Sequence, residues 1–277
     1  MSTASIGTSA VRSSRSSTVT AFGALMLRDL AVLRKEIGMF LGRTVMQPLL
    51  LIFVFAYVFP KIGQAIGGAR GAAGFSTLLV GGVIASALIF QGVQAVALPL
   101  VQDFGYTREI EDRVLAPMPV WAVALQKVAS GAIQALIAAL VVFPLAAFIP
   151  ATPVHLHVHW FYLVTILPLA CVMSAALGLT IGTRVEPRQV PLIFSLLVIP
   201  MTFLGAVYYP WKSLSPLPWL KVFVLINPLV YMSEGMRLSL TVGVPHMTPI
   251  AIYAALIVFT AAFLRLGISG FRKRVLS

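Results

Sequence analysis

Apolar residues gather along this chain into six stretches, 44–60, 76–100, 128–149, 161–183, 190–210 and 247–264, separated by segments that hold most of the charge. Each has about 17–25 residues, which as helix rising about 1.5 Å per residue matches a hydrocarbon core of about 30 Å. Lipid offers no partner to backbone N–H and C=O groups, so only helices and closed barrels cross it. A barrel needs short strands of alternating polarity, and runs such as 49–58 and 136–142 are continuously apolar. The pattern predicts an all-α membrane protein with six transmembrane helices.

The intervals between these stretches carry their own patterns. Residues 1–21 are rich in Ser and Thr and lack an apolar core, which predicts a disordered cytoplasmic tail and not a signal peptide. Over 22–43, Phe22, Leu25, Met26, Leu30, Leu33, Ile37 and Phe40 recur at three- and four-residue steps among Arg28, Asp29, Arg34, Lys35 and Glu36. That spacing predicts an amphipathic helix lying in the membrane interface. Residues 44–270 then form the membrane domain, and 271–277 a basic cytoplasmic tail. After the second stretch, Asp103, Glu109, Glu111, Asp112 and Arg113 precede Pro117 and Pro119. A short charged helix stopped by two prolines would offer a rigid knob to a partner.

Between the fifth and sixth stretches the chain is irregular. Tyr208, Tyr209 and Trp211 lead through Pro216 and Pro218 to an apolar run, 219–226, of eight residues, too short to cross. Asn227-Pro228 separates two short helices. The expectation is a re-entrant or interfacial helical hairpin on the outer side, with Tyr and Trp at headgroup level. Glu234 and Arg237 stand three apart, a pairing worth a few tenths of a kcal/mol if exposed.

Composition changes this picture little: 59% of the 277 residues are hydrophobic and 10% charged. The net charge of +12 would suggest nucleic acid in a soluble protein, yet its distribution points to topology. With the N-terminus inside, the inner segments hold Arg12, Arg15, Arg28, Arg34, Lys35, Arg43, Arg108, Arg113, Lys127, Arg184, Arg188, Arg265, Arg272, Lys273 and Arg274. The outer ones hold Lys61, Arg70, Lys212, Lys221 and Arg237. This bias predicts N-in and C-in, and no nucleic-acid partner. The single Cys171 reads as a small packing residue.

Polar residues inside apolar stretches are the better functional markers, because an unpaired amide in hydrocarbon is costly. Gln91 and Gln94 lie mid-stretch, three apart; Ser195 and Thr202 are weaker, since hydroxyls bond back to their own helix. Gln91 and Gln94 suit a substrate path or a helix–helix contact. Ser174, Gly178 and Gly182 form a ridge of small residues suited to close helix packing. His155, His157 and His159, at a period of two, would place three imidazoles on one face of an extended segment, suited to Zn or Cu or simply to a wet outer loop. There is no Gly-x-x-x-x-Gly-Lys-Ser/Thr loop and no Leu-Ser-Gly-Gly sequence. No catalytic constellation stands at membrane depth, and no acid lies centrally in an apolar stretch, as most proton- or ion-coupled carriers require.

Across residues 22–274 the order of parts resembles the integral-membrane subunit of type-2 ABC exporters. The resemblance is carried by the basic helix 28–43, the loop from Asp103 to Pro117, Lys127 opening the third stretch, and the outer block Tyr209-Pro…Leu217-Pro-Trp-Leu…Asn227-Pro-Leu-Val-Tyr231…Arg237. It implies a dimer with itself or a sister permease, above two cytoplasmic ATPase subunits that bind ATP and Mg; this chain itself would bind no cofactor. It further implies ATPase coupling through Arg28, Arg34, Asp103, Glu109, Glu111 and Arg113. A substrate path would run along Gln91, Gln94, Ser195 and Thr202. An outer gate would contain Tyr208, Tyr209, Trp219, Asn227, Tyr231, Glu234 and Arg237. A hydrophobic or amphipathic drug or lipid is the expected substrate. A polyprenyl-linked glycan is the alternative within the family, and a channel or secondary carrier the alternative outside it.

Overall fold

The structure, a computed structural model, describes residues 7–62, 68–104, 119–186, 189, 192, 196 and 199–276, with side chains undescribed for 7–17, 68–73, 199 and 276. It is mostly helical: α1 (Gly7–Lys35), α2 (Ile37–Lys61), α3 (Gly68–Gln102), α4 (Val120–Phe148), α5 (Trp160–Arg184), α6 (Ile199–Phe203), α7 (Pro218–Phe223), α8 (Pro228–Leu240) and α9 (Pro249–Leu276). Among the described residues the nearest thing to a sheet is one isolated bridge between Leu156 and Thr241.

Five helices are long and apolar enough to cross a membrane: Ile37–Lys61, Gly74–Gln102, Val120–Phe148, Trp160–Arg184 and Pro249–Val275. They correspond to the first four apolar stretches and the sixth. Most of 190–198, with Ser195, lies outside the described residues, and the described remainder of the fifth stretch is the short α6 and the turns that follow it.

The bundle is organised around α3, which packs most extensively on α5 and then on α4. From Ser76 to Val101, 20 of 26 residues of α3 are buried and the other six half-buried, as suits a helix that is apolar nearly all round. The α3–α5 contact is close because one wall is made of small residues: a Cβ at Gly178 would stand 2.7 Å from the Val93 carbonyl oxygen. The Ser174, Gly178, Gly182 ridge therefore does pack backbone against backbone. The outward faces of the bundle carry large exposed apolar groups instead, among them Leu140, Phe148 and Ile250.

Helix α2 buries a stripe at four-residue steps, Phe40, Thr44, Pro48, Ile52 and Ala56. Four residues of ordinary helix overshoot a full turn by about 40°, so such a stripe drifts around the helix. The wider π turn at Phe53–Val58 takes up part of that drift and keeps the last step facing inward.

At the amino end, α1 starts at Gly7, within the stretch expected to be a disordered tail, and ends at Lys35 where the amphipathic helix was expected to continue to 43. Ser and Thr cost little in a helix already nucleated by its apolar part. Glu36, at φ −105° and ψ 19°, turns the chain, and residues 37–43 begin the first membrane helix.

Candidate functional site

The two ends of the bundle differ in kind. At one end stands α8, whose 13 residues are all buried. Pro228 sits in its first turn, where a missing N–H does no harm. Asn227 caps it: Oδ1 accepts from the Leu229 N–H at 3.0 Å, and Nδ2 donates to the Met201 carbonyl at 2.7 Å. Inside α8, Glu234 and Arg237 pair at 2.9 Å with both side chains wholly out of solvent. Glu234 Oε1 also accepts from the Trp211 N–H at 2.9 Å, and Oε2 from the Met247 N–H at 2.7 Å. Arg237 donates through Nε to Leu78 O at 3.4 Å, and through Nη2 to the carbonyls of Ala206 and Val207, the latter at 3.0 Å.

One ion pair thus ties α3, the 204–210 turn, the Trp211 turn and the approach to α9 together. Ala206 holds φ at +53°, a left-handed conformation costing an alanine about 1–2 kcal/mol, and Arg237 binds its carbonyl. The pair was expected to be worth tenths of a kcal/mol if exposed. Complete burial makes it a clamp, because charges out of water must be satisfied in full.

At the α1 end the bundle is open. A cleft of about 400 Å³ lies between α1, α2, α3 and α4. Its walls mix Leu33, Met39, Phe40 and Leu98 with charged and amide groups. Lys127 Nζ lies 3.4 Å from Asp103 Oδ2, both groups buried, and Gln126 Nε2 donates to Asp29 Oδ2 at 2.9 Å, fastening α1 to α4. A narrower space of about 20 Å³ continues between α2 and α3, lined by Thr44, Gln47, Ser86 and Gln91 and sharing Arg43 and Gln94 with the cleft. Gln91 is 3% exposed. Its Oε1 accepts from Thr44 Oγ1 at 3.0 Å, while its Nε2 has no partner. An unmet buried donor costs about 1–3 kcal/mol.

The ABC-2 type transporter family model matches residues 20–241. The chain belongs to the ABC-2 type transporter family. Its similar relatives include the inner membrane transport permease YadH of Escherichia coli strain K12 and that of Shigella flexneri, each 27% identical over 236 residues, covering 83% of this chain and 88% of the relative. This ABC-2 permease is a multi-pass cell-membrane protein of bacterial type.

The residues expected to act in this permease are distributed unevenly. Arg28 and Arg34 are exposed on α1, and Arg28 lines the cleft. Asp103, just past the end of α3, is 8% exposed, and its carboxylate lies 3.4 Å from Lys127 Nζ, two turns into α4. Glu109, Glu111 and Arg113 lie outside the described residues. Gln91 and Gln94 come together at the cleft's inner end; Thr202 is buried on α6, elsewhere.

Of the outer residues, Tyr208 packs on Phe55 with ring centroids 5.4 Å apart, and Tyr209 donates to the Phe203 carbonyl at 3.2 Å. Tyr231 donates to the Leu225 carbonyl at 3.1 Å. Trp219 is 69% exposed on α7. His157 and His159 lie with centroids 4.7 Å apart, but among the described residues no three metal-ligating groups gather. The extended segment's N–H groups at 157 and 159 bond the Leu240 and Ser239 carbonyls, which fastens it to the end of α8. Sequence reasoning passed over Thr44, Gln126 and the Asp29 contact. Their signal was faint, a single polar residue near the start of an apolar run.

Proposed function

We propose that this ABC-2 permease is the membrane subunit of an ATP-driven exporter that moves a hydrophobic or amphipathic, drug- or lipid-like molecule outward by alternating access. The observation that carries this reading is the contrast between the ends: a cleft of mixed apolar and polar lining reaches Gln94 from the α1 end, while the 13 residues of α8 at the other end are all buried. The positive-inside bias assigns the α1 end to the cytoplasm. Two cytoplasmic ATPase subunits, each binding ATP and Mg, would drive a dimer of this chain or a pair with a sister permease. Arg28 and Arg34 on α1, with Glu109, Glu111 and Arg113, would form the coupling surface. Ser195 and Thr202 would extend the path begun by Gln91 and Gln94. Tyr208, Tyr209, Trp219, Asn227, Tyr231, Glu234 and Arg237 would form the outer gate, as a re-entrant hairpin.

Affinity purification from native membranes in mild detergent tests this. A stoichiometric soluble protein bearing an ATP-binding loop is expected to co-purify. Charge reversal of Glu109, Glu111 or Arg113 is expected to reduce that recovery at least fivefold while insertion is unchanged. Recovery of the chain alone across several mild detergents would turn the reading toward a channel or secondary carrier.

A further inference from the structure

Six charged side chains line the cleft: Arg28, Asp29, Glu36, Arg43, Asp103 and Lys127. Lys127 and Asp103 face each other, and Asp29 accepts from the Gln126 amide. The Arg43 guanidinium has neither an ion pair nor a hydrogen bond among the described residues. An unpaired cation within a membrane helix is costly, and it marks a place where a partner comes from outside the chain.

Depth locates that place. Helix α2 starts at Ile37, so Met39, Phe40 and Arg43 lie about 3, 5 and 9 Å along it. The Thr44 hydroxyl donates to Gln91 Oε1 at 3.0 Å, which sets Arg43 about level with Gln91. On α3, Leu98, Gln94 and Gln91 stand about 6, 12 and 16 Å before the end at Gln102. On α4, Gln134 is seven residues, about 10 Å, beyond Lys127, whose partner Asp103 lies just past the end of α3. From the mouth inward the lining therefore runs from the Lys127–Asp103 pair, past Met39, Phe40 and Leu98, to Arg43, Gln94 and Gln134. Gln94 and Gln134 are half-buried, and their amides are also unengaged among the described residues.

A bilayer lipid has the opposite order, with its charge at the interface and its chains inward. This lining suits an anion that enters first and leaves an apolar body against the wall nearer the mouth. A guanidinium holds an oxyanion through two parallel N–H donors, and each amide adds its own N–H. The other five lining charges are two basic and three acidic, so a small inorganic anion gains little from the cleft as a whole. Apolar contact has to add to the hold. At about 400 Å³ the cleft falls within the range of drug-sized ligand sites.

We propose that the cleft binds organic anions, a carboxylate or sulfonate on an apolar body of drug size, with Arg43, Gln94 and Gln134 on the oxyanion. As the class of cargo this rests on the exporter reading; as a binding site it does not.

The test photolabels the full chain in phosphatidylcholine nanodiscs with an azide-bearing anilinonaphthalene sulfonate. Its neutral sulfonamide and a trimethylammonium analogue of the same size are run beside it, and labelled peptides are mapped by mass spectrometry. Saturable sulfonate labelling within 39–47, 91–102 and 127–134 is expected, at least fivefold above the sulfonamide. Arg43→Gln should remove that excess, and Arg43→Lys should keep most of it. Arg43→Glu should reverse the preference toward the trimethylammonium probe, a result that a misfolded cleft cannot give. Equal labelling by the three probes, or sulfonate labelling unchanged in Arg43→Gln, would overturn the proposal and leave Arg43 as a topology-setting charge. Adding the co-purified ATPase with ATP separates the site from the exporter reading. Sulfonate labelling without sulfonate-stimulated hydrolysis keeps the site and removes its role for cargo. Hydrolysis stimulated by neutral or cationic compounds, with no sulfonate labelling, keeps the exporter and sinks the site.

Discussion

A buried carboxylate and guanidinium rarely favour folding on Coulomb attraction alone, since both charges lose water. The Glu234–Arg237 pair meets that cost by its surroundings: four peptide segments direct N–H groups at the carboxylate or carbonyls at the guanidinium. Removing one member leaves the other charged and dry. Glu234→Gln or Arg237→Met should therefore lower stability by about 3–5 kcal/mol. In thermal unfolding of the detergent-solubilised protein, each should show a large loss of melting temperature or of folded yield. The double variant Glu234→Leu with Arg237→Met should recover much of what either single change loses, because no unpaired charge remains. Recovery absent in the double variant would mean that the backbone contacts, including the Ala206 carbonyl, depend on the guanidinium itself. The Gln91 amide is the opposite case: a buried polar group with its Nε2 left without a partner.

At the scale of elements, the decisive contact is the one that lets the 204–210 turn reach α3. A Cβ at Gly82 would come within 2.7 Å of Val207 Cα, and that backbone is held by Arg237. Gly82→Ala should thus destabilise by about 1–3 kcal/mol through overpacking. Gly23→Ala, in α1 with nothing within 4 Å, should stabilise by about 0.5–1 kcal/mol. Equal melting temperatures for the two variants would show that the turn moves freely against α3. Sequence hydropathy located α2, α3, α4, α5 and α9, because their length and apolar content are properties of local sequence. The helix 228–240 was placed between breaks at Asn227-Pro228 and its end, but its complete burial was not legible. Its Glu and Arg residues find their remaining partners only across the fold, on α3 and the two flanking turns. The same reason hid Asp103: its partner Lys127 is 24 positions away in the chain. Gln91 and Gln94 were legible as path candidates because an amide in an apolar stretch is conspicuous wherever it packs.

For the molecule as a whole, the difference between its ends sets which residues water can reach. Cys171, the chain's single cysteine, is 2% exposed and gives a silent background for labelling. With Gln94→Cys, a small aqueous thiol reagent added from the cytoplasmic side should react readily through the cleft. With Ser233→Cys, on the sealed α8, it should react at least tenfold more slowly from either side. If transport proceeds by alternating access, the ATP-bound complex with its ATPase must close the first position and open a route to the second. The expected result is a fall in Gln94→Cys reactivity together with a rise in Ser233→Cys reactivity from the outer side, both reversed on hydrolysis. A fall at the first position without a rise at the second would mean that ATP closes the cleft while the Glu234–Arg237 clamp stays shut, so the exit lies elsewhere. Reactivity unchanged at both would separate the cleft from the transport cycle.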